Sequence, residues 1–446
     1  MIQELRRLHP EVKLSILWGS MIKAFLQFQA HLRSPLYRSS YALMLGSATT
    51  SMLGLVYWVL AARFYSPQEV GLNSAMLSGA MFLSGVSLLS LDGALVRYVP
   101  IAGIATPRLV GTIYLVCMIG SALASMAFLV GIRSWSPHLR FLVSSPLTIL
   151  FFTLATMAWS VFTLEDSVLA GLREAIWVPI ENTIFALVKI ALLIVFIGNF
   201  RQLGIFASWM VPVIALLLPV NLLVFKRLIP RHIHTTAERT RPRLPNQVIK
   251  YVSGNYAGAL FFLAFTTLLP VLVTEQAGAQ ANAYFYLPWT IMNALQLVSM
   301  NMTTSFTVEA TIERTQRNAY FRRSLIHTAK LITLVLLVVL PGAPYFLLVF
   351  GPDYSEQGTG LLRLLVLGAI PNLVVWLYLG MGRVQNQTLG IVLVQGTLCA
   401  SMLSLTYILL PRLGINGIGI AWLASQSLVA VVLVVSVLRP VLWERV

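Results

Sequence analysis

The chain has 446 residues, of which 58% are hydrophobic and only 10% carry a charged side chain, and its mean hydropathy is +0.81. Because a soluble domain has roughly 25% charged residues, this composition excludes an ordinary soluble protein and predicts a chain that crosses a membrane many times. The formal net charge of +16 does not predict nucleic-acid binding, because the positive residues lie in the connections between apolar runs, where they set topology and face lipid headgroups.

Residues 1–40 form the first predicted segment. Six basic residues are mixed there with apolar residues at helical spacing, which favours an amphipathic helix on the membrane surface. The segment lacks the clean apolar core and the small-residue cleavage site of a signal peptide. We therefore expect the N-terminus to stay in the cytosol.

Twelve apolar runs follow, each long enough to cross a bilayer. A hydrocarbon core of about 30 Å requires about 20 helical residues, and backbone in lipid must satisfy its own hydrogen bonds. In the first half the predicted spans are 41–61, 71–91, 109–131, 146–164, 177–198 and 203–225. In the second half they are 251–273, 281–303, 328–350, 361–381, 388–410 and 415–438. The predicted fold class is an all-α integral membrane protein.

A basic connection at residues 226–250 divides the spans into two sets of six, residues 41–225 and residues 251–438, with a short tail at 439–446. With the N-terminus inside, the inner segments contain 24 Lys and Arg residues and the outer segments contain 6, while Lys189 remains inside a span. Positive residues are enriched on the cytosolic side of membrane proteins. The charge distribution therefore predicts twelve spans with both termini in the cytosol.

Four short stretches carry a family resemblance. They are AARF at 61–64, the spaced pattern PxExG at 67–71, DGALVRY at 92–98 and EDSVLAGLREA at 165–175. In these stretches the chain resembles the polysaccharide biosynthesis (Wzx-like) flippases of the multidrug/oligosaccharidyl-lipid/polysaccharide exporter superfamily. The second half is similar only in its helix count and in the style of its connections.

The resemblance implies two six-helix lobes around a central cavity. It also implies a flippase of the inner membrane that moves a lipid-linked oligosaccharide, of the polyprenyl-pyrophosphate type, between leaflets by alternating access. The implied partners are this lipid, the surrounding membrane lipids and a polysaccharide polymerase. Helix count alone does not imply this function, because many secondary transporters have twelve helices.

Lys189 is the most central charge, in the middle of the fifth predicted span. A charged residue at the bilayer centre costs roughly 3 kcal/mol on insertion scales, so it is expected to face a cavity or an acidic partner. One interpretation is an anchor for a substrate pyrophosphate or sugar carboxylate. The alternative is a structural pair, for instance with Glu181 two turns earlier.

Other charged residues lie near the ends of the spans. Guanidinium groups that face a cavity can bind phosphate, so the further substrate-binding candidates are Arg63, Arg97 and Arg363. The candidates for ion coupling or gating are Asp92, Glu165, Asp166, Arg173 and Glu181. The alternative for all of them is a solvated charge or a gating pair between helices.

Amide side chains lie on the eighth predicted span. Asn293 and Gln296 are three residues apart and therefore share one side of a helix. Amides on a cavity wall can bind sugar hydroxyls, and amides between helices can equally hold the helices together.

Signals of catalysis, cofactors or metals do not emerge from the sequence. The six histidines lie in connections, and no GxxxxGK[ST] motif predicts an ATP site. We therefore expect a transporter, with two alternatives: a cation-coupled multidrug exporter of the same superfamily, or a membrane enzyme that acts on lipid-linked sugars.

Overall fold

A computed structural model describes residues 35–88, 90–135, 137–200, 202–236, 244–312, 314–385 and 387–438. The helices of the first half are α1 (Pro35–Phe64), α2 (Pro67–Leu88), α3 (Leu91–Ala102), α4 (Thr106–Trp135), α5 (Pro146–Gly171), α6 (Trp177–Asn199), α7 (Gly204–Leu223) and α8 (Ile229–Thr236). Those of the second half are α9 (Leu244–Ile312), α10 (Arg317–Leu348), α11 (Pro352–Leu367), α12 (Ala369–Val384), α13 (Thr388–Leu413) and α14 (Asn416–Leu433). The predicted all-α fold class is confirmed. The predicted surface helix at 1–40 lies mostly outside the described residues, as does the tail at 439–446.

The start of α2 shows how the local sequence sets a helix boundary. The backbone N–H of Ser66 donates to the Glu69 carboxylate at 2.8 Å, and the Ser66 hydroxyl accepts from the Glu69 N–H at 3.2 Å. This reciprocal capping box satisfies two backbone donors that a helix start leaves unpaired. Pro67 fits at the first helical position, because it has no N–H to satisfy. The stretch at 67–71 is thus the start signal of α2.

Helix α9 has 69 residues and folds back at Gly278. At 1.5 Å per residue a straight helix of this length would be about 100 Å long, far beyond the thickness of a bilayer. Gly278 has φ +87, a backbone conformation that glycine adopts without steric cost. The two arms of α9 therefore correspond to the seventh and eighth predicted spans.

Nine described helices are long and apolar enough to cross a membrane, or ten if α11 and α12, which meet at a bend of 41°, form one broken span. The predicted count of twelve spans is higher than this count for two reasons. Helix α9 contributes two arms, and α1 lies partly among residues whose side chains are not described. The chain is a multi-pass membrane protein.

The connection between the halves begins as a helix, although it contains Pro230, a residue type that commonly interrupts helices. Helix α7 continues through a π-helical turn, Val224–Leu228, directly into α8, which contains Pro230. A π-turn re-routes the backbone hydrogen bonds locally, so a residue without an N–H close behind it does not end the helix.

The surface is apolar, as expected in lipid. Val130 is 78% exposed, Leu147 is 73% exposed and Leu337 is 69% exposed. The largest buried cluster joins side chains of both halves and a second cluster lies within the first half, and α2 and α9 form the principal contact between the halves. The two-lobe arrangement agrees with the prediction.

The two ends of the molecule contain different connections. The Gly278 end contains Gly278 and the connections at 65–66, 202–203 and 349–351, whereas the Thr236 end contains α8 and the connections at 103–105 and 172–176. At the Gly278 end the Asn282 amide of α9 donates to the Gly71 carbonyl of α2 at 2.7 Å. A Cβ at Gly71 would lie 1.6 Å from the Ala279 carbonyl oxygen, so only glycine permits this approach.

Candidate functional site

Lys189 lies inside the first half, where it is 5% exposed and surrounded by aromatic rings. Its ammonium lies 3.7 Å from the ring centroid of Trp209, 4.7 Å from that of Phe185 and 5.0 Å from that of Tyr57. The three rings come from α7, α6 and α1. Among the described residues Lys189 has no acidic partner within 4 Å, so the rings are what stabilises its charge. The structural pair with Glu181, one of the two interpretations of Lys189, is not formed.

The lysine cage, Tyr57, Phe185, Lys189 and Trp209, is held rigidly. The Tyr57 hydroxyl donates to the Ile205 carbonyl of α7 at 3.0 Å and lies 2.8 Å from the Ser208 hydroxyl. Tyr57 and Trp209 also meet edge to face, with ring centroids 5.2 Å apart. These contacts join α1 to α7 and fix the rings on which the ammonium rests.

The lysine cage lies one residue from the seam between the halves. Trp58, next to Tyr57, packs against Tyr286 of α9 with ring centroids 4.8 Å apart and the rings tilted by 57°. A separation of the halves would therefore break the Trp58–Tyr286 contact and expose the side of the lysine cage that faces the seam.

Two buried glutamates face each other nearer the Thr236 end. Glu165 of α5 is fully buried and Glu181 of α6 is 4% exposed. Their carboxyl groups are within hydrogen-bonding range of each other. The amide of Asn221 on α7 donates to the first Glu165 oxygen, whereas neither Glu181 oxygen receives a hydrogen bond from a described donor.

The α5–α6 hairpin brings this acidic pair together. Asp166 and Asn182 are the next residues on the two helices and form a second contact, in which the Asn182 amide donates to the Asp166 carboxylate at 3.2 Å. The turn between the helices contains Arg173 at φ +62, a conformation uncommon outside glycine. Since this turn joins the two helices, its geometry sets the register of both contacts.

The remaining predicted charges are dispersed. Arg63 is exposed and donates to the carbonyls of Val349 at 2.9 Å and Leu348 at 3.0 Å, so it bridges the halves at the Gly278 end. Arg363 donates to the Leu340 carbonyl at 3.0 Å within the second half. Exposed positions elsewhere are occupied by Asp92, Arg97 and Arg173.

The predicted amides of α9 differ in burial. Gln296 is 6% exposed and its amide nitrogen has no partner among the described residues, whereas Asn293 is half-buried. A cavity of about 380 Å³ lies elsewhere at the seam, between α2, α4 and α9. Its lining is apolar except for Ser87 and Tyr256, and neither Lys189 nor Gln296 lines it.

Several residues of these sites were not singled out from the sequence. The aromatic residues of the lysine cage lie among many other aromatics and have no distinguishing spacing. Asn221 carried a usable signal, because it is a polar residue in an otherwise apolar run. Tyr114 of α4, whose buried hydroxyl has no described hydrogen-bond partner, carried no such signal.

Comparisons with solved structures identify the fold. No protein-family profile and no curated protein sequence matches the chain. One similar solved structure is a multidrug resistance MATE family transporter of the MOP superfamily in an inward-facing conformation, with a TM-score of 0.63 and 14% identity over 86% of this chain and 92% of that chain. Another is the outward-facing conformation of such a transporter, with a TM-score of 0.62 and 13% identity over 90% of this chain and 95% of that chain. A third is a MOP superfamily transporter from Pyrococcus furiosus, with a TM-score of 0.63 and 13% identity over 90% of this chain and 95% of that chain. The chain has the fold of these transporters over nearly its whole length.

Proposed function

We propose that the chain is a flippase that moves a lipid-linked oligosaccharide with an anionic head group across the cytoplasmic membrane. The observation on which the proposal rests is the lysine cage. A buried ammonium without a described acidic partner favours an anionic substrate over a cationic one. The sequence resemblance to lipid-linked sugar flippases supports the same substrate class.

Movement of the two halves exposes the lysine in this proposal. The fold matches both inward-facing and outward-facing transporters, with TM-scores of 0.63 and 0.62, and is therefore compatible with alternating access. In the conformation described, Arg63 and Asn282 join the halves at the Gly278 end. When the seam opens beside Trp58, Lys189 leaves the rings and binds the phosphate, while the lipid tail stays in the bilayer.

The distribution of charge supports an orientation for this proposal. The 24 to 6 division of basic residues favours the Thr236 end in the cytosol and the Gly278 end outside. The conformation described, joined at the Gly278 end, is then closed to the outside. The basic residues of the Thr236 end would attract the anionic head group to the cytosolic opening.

The test is leaflet-resolved transport with the Lys189→Met protein. A fluorescent lipid-linked oligosaccharide is reconstituted with the protein in liposomes, and its accessibility to a membrane-impermeant quencher is followed. We expect the initial rate to fall about 10- to 100-fold, because a hydrogen bond to a charged group contributes about 1.5–3 kcal/mol. The matched control is Arg412→Met, which removes an exposed positive charge of the outer segments and should leave the rate unchanged.

An unchanged rate in Lys189→Met would refute the role of the lysine, and a chemically altered lipid would indicate an enzyme instead. The similar solved structures are transporters, which favours a protein that does not alter its substrate.

A second candidate is a multidrug exporter, because the inward-facing and outward-facing relatives are described as multidrug resistance transporters. The Pyrococcus furiosus transporter is described as having a binding pocket of reversed polarity, which suggests a different function for that protein. By the same reasoning the lysine cage argues against cationic drugs here. Drug susceptibility of cells with and without the protein separates the two functions: a flippase leaves it unchanged, and an exporter lowers it.

A further inference from the structure

The Glu165–Glu181 pair has no described positive partner. The nearest ion pair of this region, Arg231 with Glu174 at 3.6 Å, lies on the Thr236 end of the hairpin and involves neither residue. Within the described residues no Lys, Arg or His lies within 4 Å of either carboxyl group. Two carboxylates in contact in an apolar interior cannot both be ionised without a compensating charge.

The hydrogen bonds of the pair lack a donor. Both Glu181 oxygens and the second Glu165 oxygen are buried and receive no hydrogen bond from a described donor, although the two carboxyl groups face each other. A carboxylate can only accept hydrogen bonds, whereas a protonated carboxyl group donates one. One proton on the pair supplies the donor and removes one of the two negative charges.

A further buried polar group without a described partner packs against α5. Tyr114 of α4 is 8% exposed, belongs to the same buried cluster as Leu164 and Val168, and its hydroxyl has no described hydrogen-bond partner. The π-helical turn Val224–Leu228 begins three residues after Asn221. Such turns are rare and are frequent at functional sites.

The other titratable groups around the pair do not supply the missing charge. Asp166 adds negative charge and accepts from Asn182. On α3, Asp92 interacts electrostatically with Cys117 of α4. Arg97 is exposed, and its guanidinium carbon lies 5.7 Å from the centroid of the Tyr98 ring. On α6 and α1, Lys189 and Tyr57 belong to the lysine cage, two helical turns away.

We propose that Glu165 and Glu181 form a binding site for one exchangeable proton. The proton bridges the two carboxyl groups, and water carries it to and from the pair. Its loss leaves two carboxylates that repel each other, so α6 separates from α5. Because α6 also carries Lys189 about 12 Å further along, proton exchange shifts the lysine cage. This last consequence alone rests on the proposed function, whereas the proton site does not.

Infrared spectroscopy of the purified full-length protein tests the site directly. We expect a protonated-carboxyl C=O band that shifts in D₂O, and we expect its loss in Glu165→Gln and in Glu181→Gln. The matched control is Glu69→Gln, because the Glu69 carboxylate accepts a backbone hydrogen bond in the capping box and does not belong to the glutamate pair. The band should persist in that control and in Asp166→Asn.

Three outcomes would overturn the proposal. These are absence of the band in the wild-type protein, persistence of the band in both glutamine variants, or its disappearance when Na⁺ replaces choline at constant pH, which would indicate a sodium site. The wild-type D₂O shift and the Na⁺ titration need no variant, so misfolding of a variant does not leave the proposal untested. A band in a protein that moves no lipid refutes the proposed function alone, and lipid movement without the band refutes the proton site alone.

Discussion

The two halves of the molecule bury different kinds of polar residue. All three of the buried charged residues described lie in the first half, namely Glu165, Glu181 and Lys189. In the second half the buried polar residues described are neutral hydroxyls and amides, with Gln426 at 1% exposed and Gln296 at 6%. The halves have the same number of predicted spans but differ in the chemistry of their buried residues. Buried ionisable groups in a membrane are costly and commonly mark function, so the comparison predicts charge handling in the first half and shape and hydrogen bonding in the second.

The difference between the halves predicts that a charge buried in the second half destabilises the protein more than any other change proposed. Gln426→Glu introduces a carboxylate in α14 at a site whose carbonyl oxygen already has no described partner. An uncompensated buried charge costs about 3–5 kcal/mol, so we expect loss of folded protein in thermal unfolding in detergent. The matched control is Gln426→Met, which keeps the volume without the charge and should cost less than about 2 kcal/mol.

Removing a buried carboxyl group from the first half is the converse test of the same difference. Glu181→Gln keeps a hydrogen-bond donor opposite Glu165 and should leave the unfolding temperature nearly unchanged. If Gln426→Glu proves as stable as the wild-type protein, the second half also accommodates charge, and the assignment of the halves fails.

The sequence predicted the membrane spans and the charge of Lys189 within one of them, but not the side chains that contact this lysine. The predicted span 177–198 matches Trp177–Asn199, and 388–410 lies within Thr388–Leu413, because long apolar runs determine which segments enter lipid. Lys189 was identified for the same reason, as a charge in such a run. Its partners were not, since aromatic rings on α1, α6 and α7 meet only through tertiary packing.

The acidic pair was predicted in part. Glu165, Asp166 and Glu181 were identified separately as coupling or gating residues, and their roles remain predictions. Their meeting depends on the α5–α6 turn, where Arg173 has φ +62. That conformation is not encoded by a glycine, so no turn signal in the sequence gave the register. The helical path through Pro230 was missed for a similar reason, because a π-turn has no simple sequence signature.

A double-mutant cycle measures how far the rings alone stabilise the charge of the first half. Trp209→Leu removes the aromatic ring closest to the ammonium, and the same change is made in the Lys189→Met protein. A cation–π contact at a desolvated site contributes about 2 kcal/mol, so we expect a coupling of about 1–2 kcal/mol in the free energy of unfolding. Zero coupling would mean that the ammonium does not rest on this ring and that the charge has another partner.

The smallest effect is expected where the halves meet. Asn282→Ala removes the hydrogen bonds from the second half to the Gly71 carbonyl at 2.7 Å and the Ser74 hydroxyl at 3.1 Å. The loss of hydrogen bonds of this type costs about 1 kcal/mol, so the population closed at the Gly278 end should fall about fivefold relative to the open one. Spin-label distances across that end measure the shift, and Asn293→Ala, on the same helix but half-buried, is the control. Because the amide contributes no charge, the variant should leave the infrared band of the glutamate pair intact. A change in that band would show that the two halves are coupled through the seam, and the division between charge handling and shape would then describe one connected system.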